Sequence, residues 1–534
     1  MRLLVPNLQI SLAALPEAPE VAAREAARRL GLAPHEILSI SVTRRSLDAR
    51  GRGAPRWLIT AEVETSRPPP KIPEGVRPVP TPLAAPAPAL RPSPARPIII
   101  GAGPAGLFCA WALSRAGQPC VVIERGRATE PRKLDVARLY RDGTLDPESN
   151  VSFGEGGAGT FTDGKLSTRV RDPEVREVLE ILVACGADPD ILVTNKPHLG
   201  SERLPQIIQA MRAELLAAGC EILFETRVEG LWVEGGELKG VHLAGGGSLA
   251  SDEVIFAPGN AARELYGALA EVPGLLEPKA LAMGLRVEHP QALINEIQYG
   301  PWAGDPSLPT ADYKLAGRGQ GRGVWAFCMC PGGVVVPTPT APEALCVNGM
   351  SNSRRSSPWA NSALVVEVGP ADFAAAGFGD DVLAGVRFQE SIERAAYTLG
   401  GGAFVAPAQR LTDLEPGRLS ATLPRSSYPR GLRAAPLHSL YPAPLSQALG
   451  EAVEQFGRRL RGFFTEEALL IGPETRTSAP VSMPRGPDLQ SPALPGLYPC
   501  GEGAGHAGGI VSAAIDGLRV ARTLCAQRGV EEAR

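Results

Sequence analysis

Three consecutive isoleucines, Ile98 to Ile100, lead directly into Gly101-Ala102-Gly103-Pro104-Ala105-Gly106, and the apolar segment Leu107 to Ala116 follows. A β-branched run of this kind reads as a fully buried strand, and the segment after the glycines reads as a helix. After a turn at Gln118-Pro119, Cys120-Val121-Val122-Ile123 forms a second strand that ends in Glu124. This βαβ spacing predicts a parallel sheet and a dinucleotide site. Gly101 permits the tight turn, Gly103 lets the backbone approach a pyrophosphate, and Gly106 lets helix and strand pack closely. Pro104 and Ala105 open the helix, whose free N–H groups face the phosphates. Glu124 lies 18 residues beyond Gly106, where its carboxylate can accept both ribose hydroxyls and disfavours a 2'-phosphate. Gly154-x-Gly156-x-x-Gly159 and Gly503-x-Gly505-x-x-Gly508 repeat the bare pattern, but no clear strand precedes Gly154 and no apolar helix opens at Gly159. Only the Gly101 match has its full context.

The rest of the chain arranges itself around that unit. Residues 1–66 read as a small α/β domain, with an apolar start at Leu3 to Ile10, a helix over Pro19 to Leu30, and strands at Ile37 to Thr43 and Trp57 to Val63. A linker is expected over residues 67–96, because 12 prolines between Pro68 and Pro97 favour extended backbone over a core. Residues 97–274 are expected to form the first part of the dinucleotide-binding domain. Its later elements are helices at Pro173 to Ala184 and Leu204 to Ala218, then strands at Ile222 to Val228, Gly230 to Val233, Gly240 to Leu243 and Glu253 to Ala257. Residues 275–470 read as an inserted α+β lobe for substrate. Its expected strands are Ala280 to Val287, Val324 to Cys328, Ala344 to Val347 and Ala363 to Val368, with helices at Asp381 to Thr398 and Leu445 to Phe464. Residues 471–534 return to a strand, Gly-rich loop and helix, and read as the second part of the dinucleotide-binding domain. The fold class is therefore α/β, with a Rossmann-like domain built from discontinuous segments.

Composition narrows the partners. With 534 residues, 54 basic against 57 acidic side chains and a net charge of -3, the chain offers no electrostatic case for nucleic acid. No stretch approaches the roughly 18 apolar residues of a membrane helix, and the apolar N-terminus is broken by Pro6, Asn7, Gln9 and Pro16. A cytoplasmic location and a small-molecule substrate are expected. Nine cysteines, spread thinly and without CxxC or zinc spacing, fit reduced thiols and no metal site. Nothing in the composition fixes an oligomeric state.

Longer motifs carry a resemblance. The Gly101 motif with Glu124-Arg125-Gly126 resembles the two-dinucleotide-binding flavoprotein superfamily, in which this motif holds the ADP half of FAD. The run Ser149-Asn150-Val151-Ser152-Phe153-Gly154-Glu155-Gly156-Gly157-Ala158-Gly159-Thr160-Phe161-Thr162-Asp163-Gly164-Lys165-Leu166 is similar to a signature of the FAD-dependent dehydrogenases also called NAD(FAD)-utilizing dehydrogenases. So are Val287-Glu288-His289-Pro290, Phe327-Cys328-Met329-Cys330-Pro331-Gly332-Gly333, Val347-Asn348-Gly349-Met350-Ser351, Glu474-Thr475-Arg476-Thr477-Ser478 and the N-terminal Arg45 to Arg50. The resemblance implies a noncovalent FAD held also by Arg125, Gly156 and Gly157, with Val228 beside the adenine and Ala257 to Gly259 closing a strand next to it. In the tail, Gly501-Glu502 implies a carboxylate at the ribityl hydroxyls. Gly509-Ile510 implies a helix start whose N–H groups stabilise negative charge on reduced flavin.

For catalysis the residues leave alternatives open. His506, between Gly505 and Gly508, is a candidate acid/base or a loop-positioning histidine. Cys328 and Cys330 would share one face of a strand, as a redox pair or as core thiols. Lys165, Arg476, Glu155 and Glu474 are candidates for flavin or anion contact, or for structural ion pairs. No second glycine fingerprint offers a separate nicotinamide domain, so tight NAD(P)H binding is not expected. The expected activity is FAD-dependent hydride transfer to or from a small substrate. A flavin monooxygenase and a non-catalytic FAD-binding protein are the alternatives.

Overall fold

The computed structural model describes residues 1–50, 53–79, 96–168 and 172–531. Ile98–Ile100 is the middle strand of a five-stranded parallel sheet. Its spatial order is Leu497–Pro499, Val254–Phe256, Ile98–Ile100, Val121–Ile123, Glu221–Leu223. Side chains alternate across a strand, and the two faces feed separate cores. Ile99, Val122, Ile255 and Tyr498 join the helices Pro104–Arg115, Leu204–Ala217 and Ile510–Glu531 on one side. Ile98, Ile100, Ile123 and Phe256 pack on the other with Val228, Val241 and Tyr266. Both faces are thus covered, as a parallel sheet requires. The tail is bound tightly: a Cβ placed on Gly517 would stand 2.1 Å from the Ala105 carbonyl oxygen, so the last helix lies directly on the helix of the glycine fingerprint.

One expected strand divides. Residues 222–228 do not run straight, because Glu225 takes a left-handed φ of +53°. The N-terminal piece, Glu221–Leu223, enters the parallel sheet, whereas Val228–Glu234 opens an antiparallel ribbon with Glu237–Leu243 and Ser248–Ala250.

The second lobe is a seven-stranded sheet ordered Leu315–Gly319, Arg322–Cys330, Trp359–Val368, Leu281–Pro290, Leu469–Glu474, Ala406–Arg410, Leu432–Ala434. It is antiparallel except for its last pair. The helices Ala384–Gly400 and Ala443–Arg459 bury amphipathic faces into its core. Leu469–Glu474 belongs entirely to this sheet, so a boundary at residue 470 would cut a strand. The expected strand at Ala344 to Val347 lies instead at Val347–Ser351, paired with Gly333–Pro337 as a separate ribbon.

At the N-terminus, Ile37–Asp48, Arg56–Thr65, Arg2–Ser11 and Arg77–Pro78 form one sheet, with the Ala18–Leu30 helix packed on Leu3, Val5, Leu8 and Ile10. Arg77–Pro78 lies inside the stretch expected as linker, yet it pairs with Leu3 and Leu4. Residues 80–95 of that stretch lie outside the described residues. This module meets the parallel-sheet lobe at Arg45, whose backbone exchanges hydrogen bonds with Val193 (2.6 Å) and Asn195 (2.9 Å).

Candidate functional site

Open parallel sheets bind ligands at the carboxyl ends of their strands, and a cavity of about 340 Å³ lies there, closed on its far side by the second lobe. Gly101, with φ +98°, turns so tightly that an added Cβ would stand 2.4 Å from the Ala257 carbonyl oxygen. Gly103 N-caps the following helix and, with Pro104 and Ala105, lines the cavity. Gly106 does not. It serves packing, since its Cβ would sit 2.0 Å from the Gly101 oxygen.

The Gly154 repeat of the pattern is the partner of the first. Gly156 N–H donates to Ala102 O at 2.7 Å, and a Cβ on Gly157 would approach the Gly103 Cα to 3.1 Å. Gly157 borders the cavity, whereas Gly156 stands behind it against Thr160.

Glu124 is buried at the cavity wall and joins three loops, accepting from the N–H groups of Ala102, Gly126 and Gly154, each at 2.9 Å. A carboxylate has about four lone-pair sites, so one remains on Oε2 for a ribose hydroxyl. The expected two-hydroxyl grip is therefore halved by structural bonds. Arg125 also lines the cavity, with its guanidinium 3.8 Å from the centre of the Phe153 ring and paired with Glu148 and Glu264. Val228, Ala257 and Gly259 complete this end.

At the opposite wall, Glu502 faces the cavity and accepts a 3.3 Å bond from Asn260 Nδ2. Burial raises its carboxyl to about 7, with nearby Lys279 opposing. Gly509 and Ile510 begin the last helix on the same cavity, and a Cβ on Gly508 or Gly509 would meet nothing within 4 Å. Gly501 is set back against Ala105 and donates to Asp516 at 2.7 Å. His506 is likewise not on the cavity wall. Its Nε2 binds Met483 O at 2.8 Å, and burial with nearby Arg485 lowers its pKa, so its observed role is to tie down the loop.

The end toward the second lobe is charged and buried. Arg286, fully buried, donates from Nη1 to both carboxylate oxygens of Glu474 (3.0 and 3.2 Å) and from Nε to Asn361 Oδ1 (2.8 Å), and points its Nη2 at Cys328 O (2.9 Å) and Cys330 Sγ (3.4 Å). Lys165 Nζ reaches Cys330 Sγ at 3.2 Å and Asp163 at 3.6 Å. A β-bulge interrupts Arg322–Cys330 between Phe327 and Cys330, and Cys328 adopts φ +48°. The regular alternation expected for the two cysteines is therefore broken, although both line the cavity. Arg476 also reaches the cavity, but it shares the buried Glu393 carboxylate with Arg263, at 2.8 Å for each arginine. Glu155 is elsewhere, holding Thr129 N (2.8 Å) and Arg212 (3.0 Å). Sequence reasoning did not single out Arg286, Asp163, Glu393, Asn260 or Lys279. Asp163 lay within a quoted motif, while the others carried no local signal because their partners are distant in the chain.

The residues present fit FAD. Helix N-termini and paired glycines approach one end, a carboxylate with a free acceptor stands at the end of the second strand, and an under-bonded carboxyl faces the middle. Residues 99–129 match a family described as NAD(P)-binding Rossmann-like domain, and residues 6–64 match a domain of unknown function, DUF8436. An uncharacterised protein of Clostridium beijerinckii is 42% identical over 431 residues, covering 80% of each chain. Residues 280–477 match the family described as FAD-dependent protein, C-terminal domain-like. The chain belongs to this FAD-dependent family. Solved structures similar to this FAD-dependent protein include a geranylgeranyl bacteriochlorophyll reductase-like protein of Thermoplasma acidophilum (12% identity, 82% of this chain and 79% of that one, TM-score 0.35). An L-proline dehydrogenase of P. horikoshii is also similar (12% identity, 81% and 94%, TM-score 0.34). Among the described residues of the FAD-dependent chain, no helix is long and apolar enough to cross a membrane, and no cluster of three or more His, Cys, Asp or Glu is placed to hold a metal.

Proposed function

We propose that this protein is an FAD-dependent oxidoreductase that passes a hydride between a small substrate and noncovalently bound FAD. The observation that carries this reading is one continuous cavity that runs from the glycine fingerprint and the Ile510 helix start to Lys165 and, on the second lobe, Cys328 and Glu474. Bound FAD would supply a two-electron acceptor. Glu124 and the loops it joins would hold the adenosine end, and Glu502 the ribityl chain. The N–H groups at the start of the last helix would favour negative charge on the ring system. The second lobe would exclude water and orient the substrate against it. We also assign the protein a cytoplasmic location and no nucleic-acid partner, in line with its nine free thiols and near-neutral charge.

The purified protein should be yellow and should release FAD, not FMN, on denaturation. Candidate substrates are then mixed with it anaerobically. Bleaching without oxygen supports the dehydrogenase, product that requires oxygen supports a monooxygenase, and a flavin inert to all of them supports a binding protein. Micromolar NADPH should not reduce it rapidly, because no second βαβ unit with its own glycine fingerprint is visible in the sequence for a nicotinamide.

A further inference from the structure

The second-lobe end of the cavity contains two thiols and an ionic cluster that hydride transfer alone does not require. Cys330 is buried, and two cations point at its sulfur: Lys165 Nζ at 3.2 Å and Arg286 Nη2 at 3.4 Å. Cys328 is the exposed member of the pair and faces the cavity. In a regular strand, residues two apart are separated by about 6.6 Å, at the upper limit for the Cα atoms of a disulfide. The chain is not regular here. The bulge and the left-handed backbone at Cys328 break the extended run, and Cys330 Sγ lies 3.6 Å from the Cys328 carbonyl oxygen. Asp163, on the same cavity and 2% exposed, has no hydrogen-bond partner at either carboxylate oxygen among the described residues, with Lys165 Nζ 3.6 Å away. A left-handed non-glycine residue persists where its surroundings impose it.

We propose that Cys328 and Cys330 form a redox-active dithiol that exchanges an electron pair with the flavin. This rests on the reading of the cavity as the FAD site. In the oxidising direction the two S–H bonds break, a Cys328–Cys330 bond forms, and two electrons and two protons pass to the oxidised flavin, which becomes the hydroquinone. The reverse step cleaves the S–S bond and returns both protons to sulfur. Lys165 and Arg286 stabilise charge building on Cys330 Sγ, and Cys328, the exposed member on the cavity wall, is the sulfur that meets an external thiol or disulfide. This is the division of labour expected of one shielded and one accessible thiol.

The test uses the full-length, flavin-loaded protein. Anaerobic titration with dithionite should consume twice the electrons that the flavin alone accepts, and a long-wavelength charge-transfer band should appear midway. Cys330→Ser and Cys328→Ser should each lower the uptake to that of the flavin alone, and Cys330→Ser should abolish the band. Alkylation and peptide mass spectrometry of the wild type provide a second readout that needs no variant. Denatured before alkylation, so that the burial of Cys330 does not protect it, the oxidised protein should leave Cys328 and Cys330 unmodified and the reduced protein should show both modified. Wild-type uptake equal to the flavin alone, with both cysteines alkylated in the oxidised protein, overturns the proposal while leaving the flavin site intact. Absence of flavin absorbance overturns the FAD reading itself.

Discussion

Single side chains in this protein often do structural and binding work at once. Glu124 reads from sequence as a candidate for the ribose, but its three backbone N–H partners do not, because Gly154 is brought to it only by folding. Glu124→Ala would orphan three buried donors at about 1–3 kcal/mol each. The expected outcome in urea denaturation is therefore a loss of about 3–9 kcal/mol even without FAD, whereas a pure ligand residue would leave the apo-protein unchanged. Glu502 behaves differently. Its folded pKa of about 7 lies above the ordinary glutamate value near 4.3. Between those values the folded chain holds more protons than the unfolded one, so its contribution to stability falls as pH rises through that window. Hydroxyls donating to the charged carboxylate would lower the pKa again. FAD should then bind the apo-protein more tightly above pH 7 than below it, and Glu502→Gln should flatten that slope in a fluorescence titration.

At the scale of elements, periodicity marked the long helices and the buried strands well, because each carries its own apolar pattern. It failed where backbone geometry departs from regularity. Glu225 and Cys328 take positive φ, a conformation that residue identity does not announce for glutamate or cysteine. The strand after Glu225 leaves its sheet, and a bulge interrupts the strand that carries Cys328 and Cys330. The N-terminal sheet shows the opposite relation, since it is a complete element group that touches the rest through Arg44 and Arg45 near Asp190 to Asn195. Among the described residues before Ile98, none lines the cavity. Deleting residues 1–90 should leave flavin content and visible spectrum unchanged in the purified truncation. A folded truncation without FAD would contradict that.

Across the whole molecule, the two lobes are joined by buried charge as well as by chain crossings. Arg263 comes from a helix of the dinucleotide lobe, Glu393 from the Ala384–Gly400 helix of the second, and Arg476 from the segment that follows the second sheet. Burial opposes ionisation of Glu393, but the two guanidinium groups hold its carboxyl well below the usual range. The contact should consequently persist above the ordinary glutamate range and weaken only as pH falls far into acid. Glu393→Ala would leave two buried cations uncompensated, and a loss of about 3–5 kcal/mol is expected. Thermal denaturation of the FAD-loaded and FAD-free forms should show it in both, since none of the three residues is needed to bind the cofactor in this reading.

The sequence by itself determined the class of this protein, because a glycine fingerprint between two buried strands is local chemistry. The turn, the close backbone approach and the helix N-terminus all lie within about thirty residues. It also determined that the last segment resumes the strand and helix pattern of the first lobe. The tertiary structure alone decided which charged groups face one another. Arg286 meets Glu474 across 188 positions, and Lys165 meets Cys330 across 165. It likewise removed His506 from the cavity and gave Arg476 to Glu393. Pairings of that kind arise from the crossing of two sheets, and no periodicity along the chain records which side chains a crossing brings within a few ångströms.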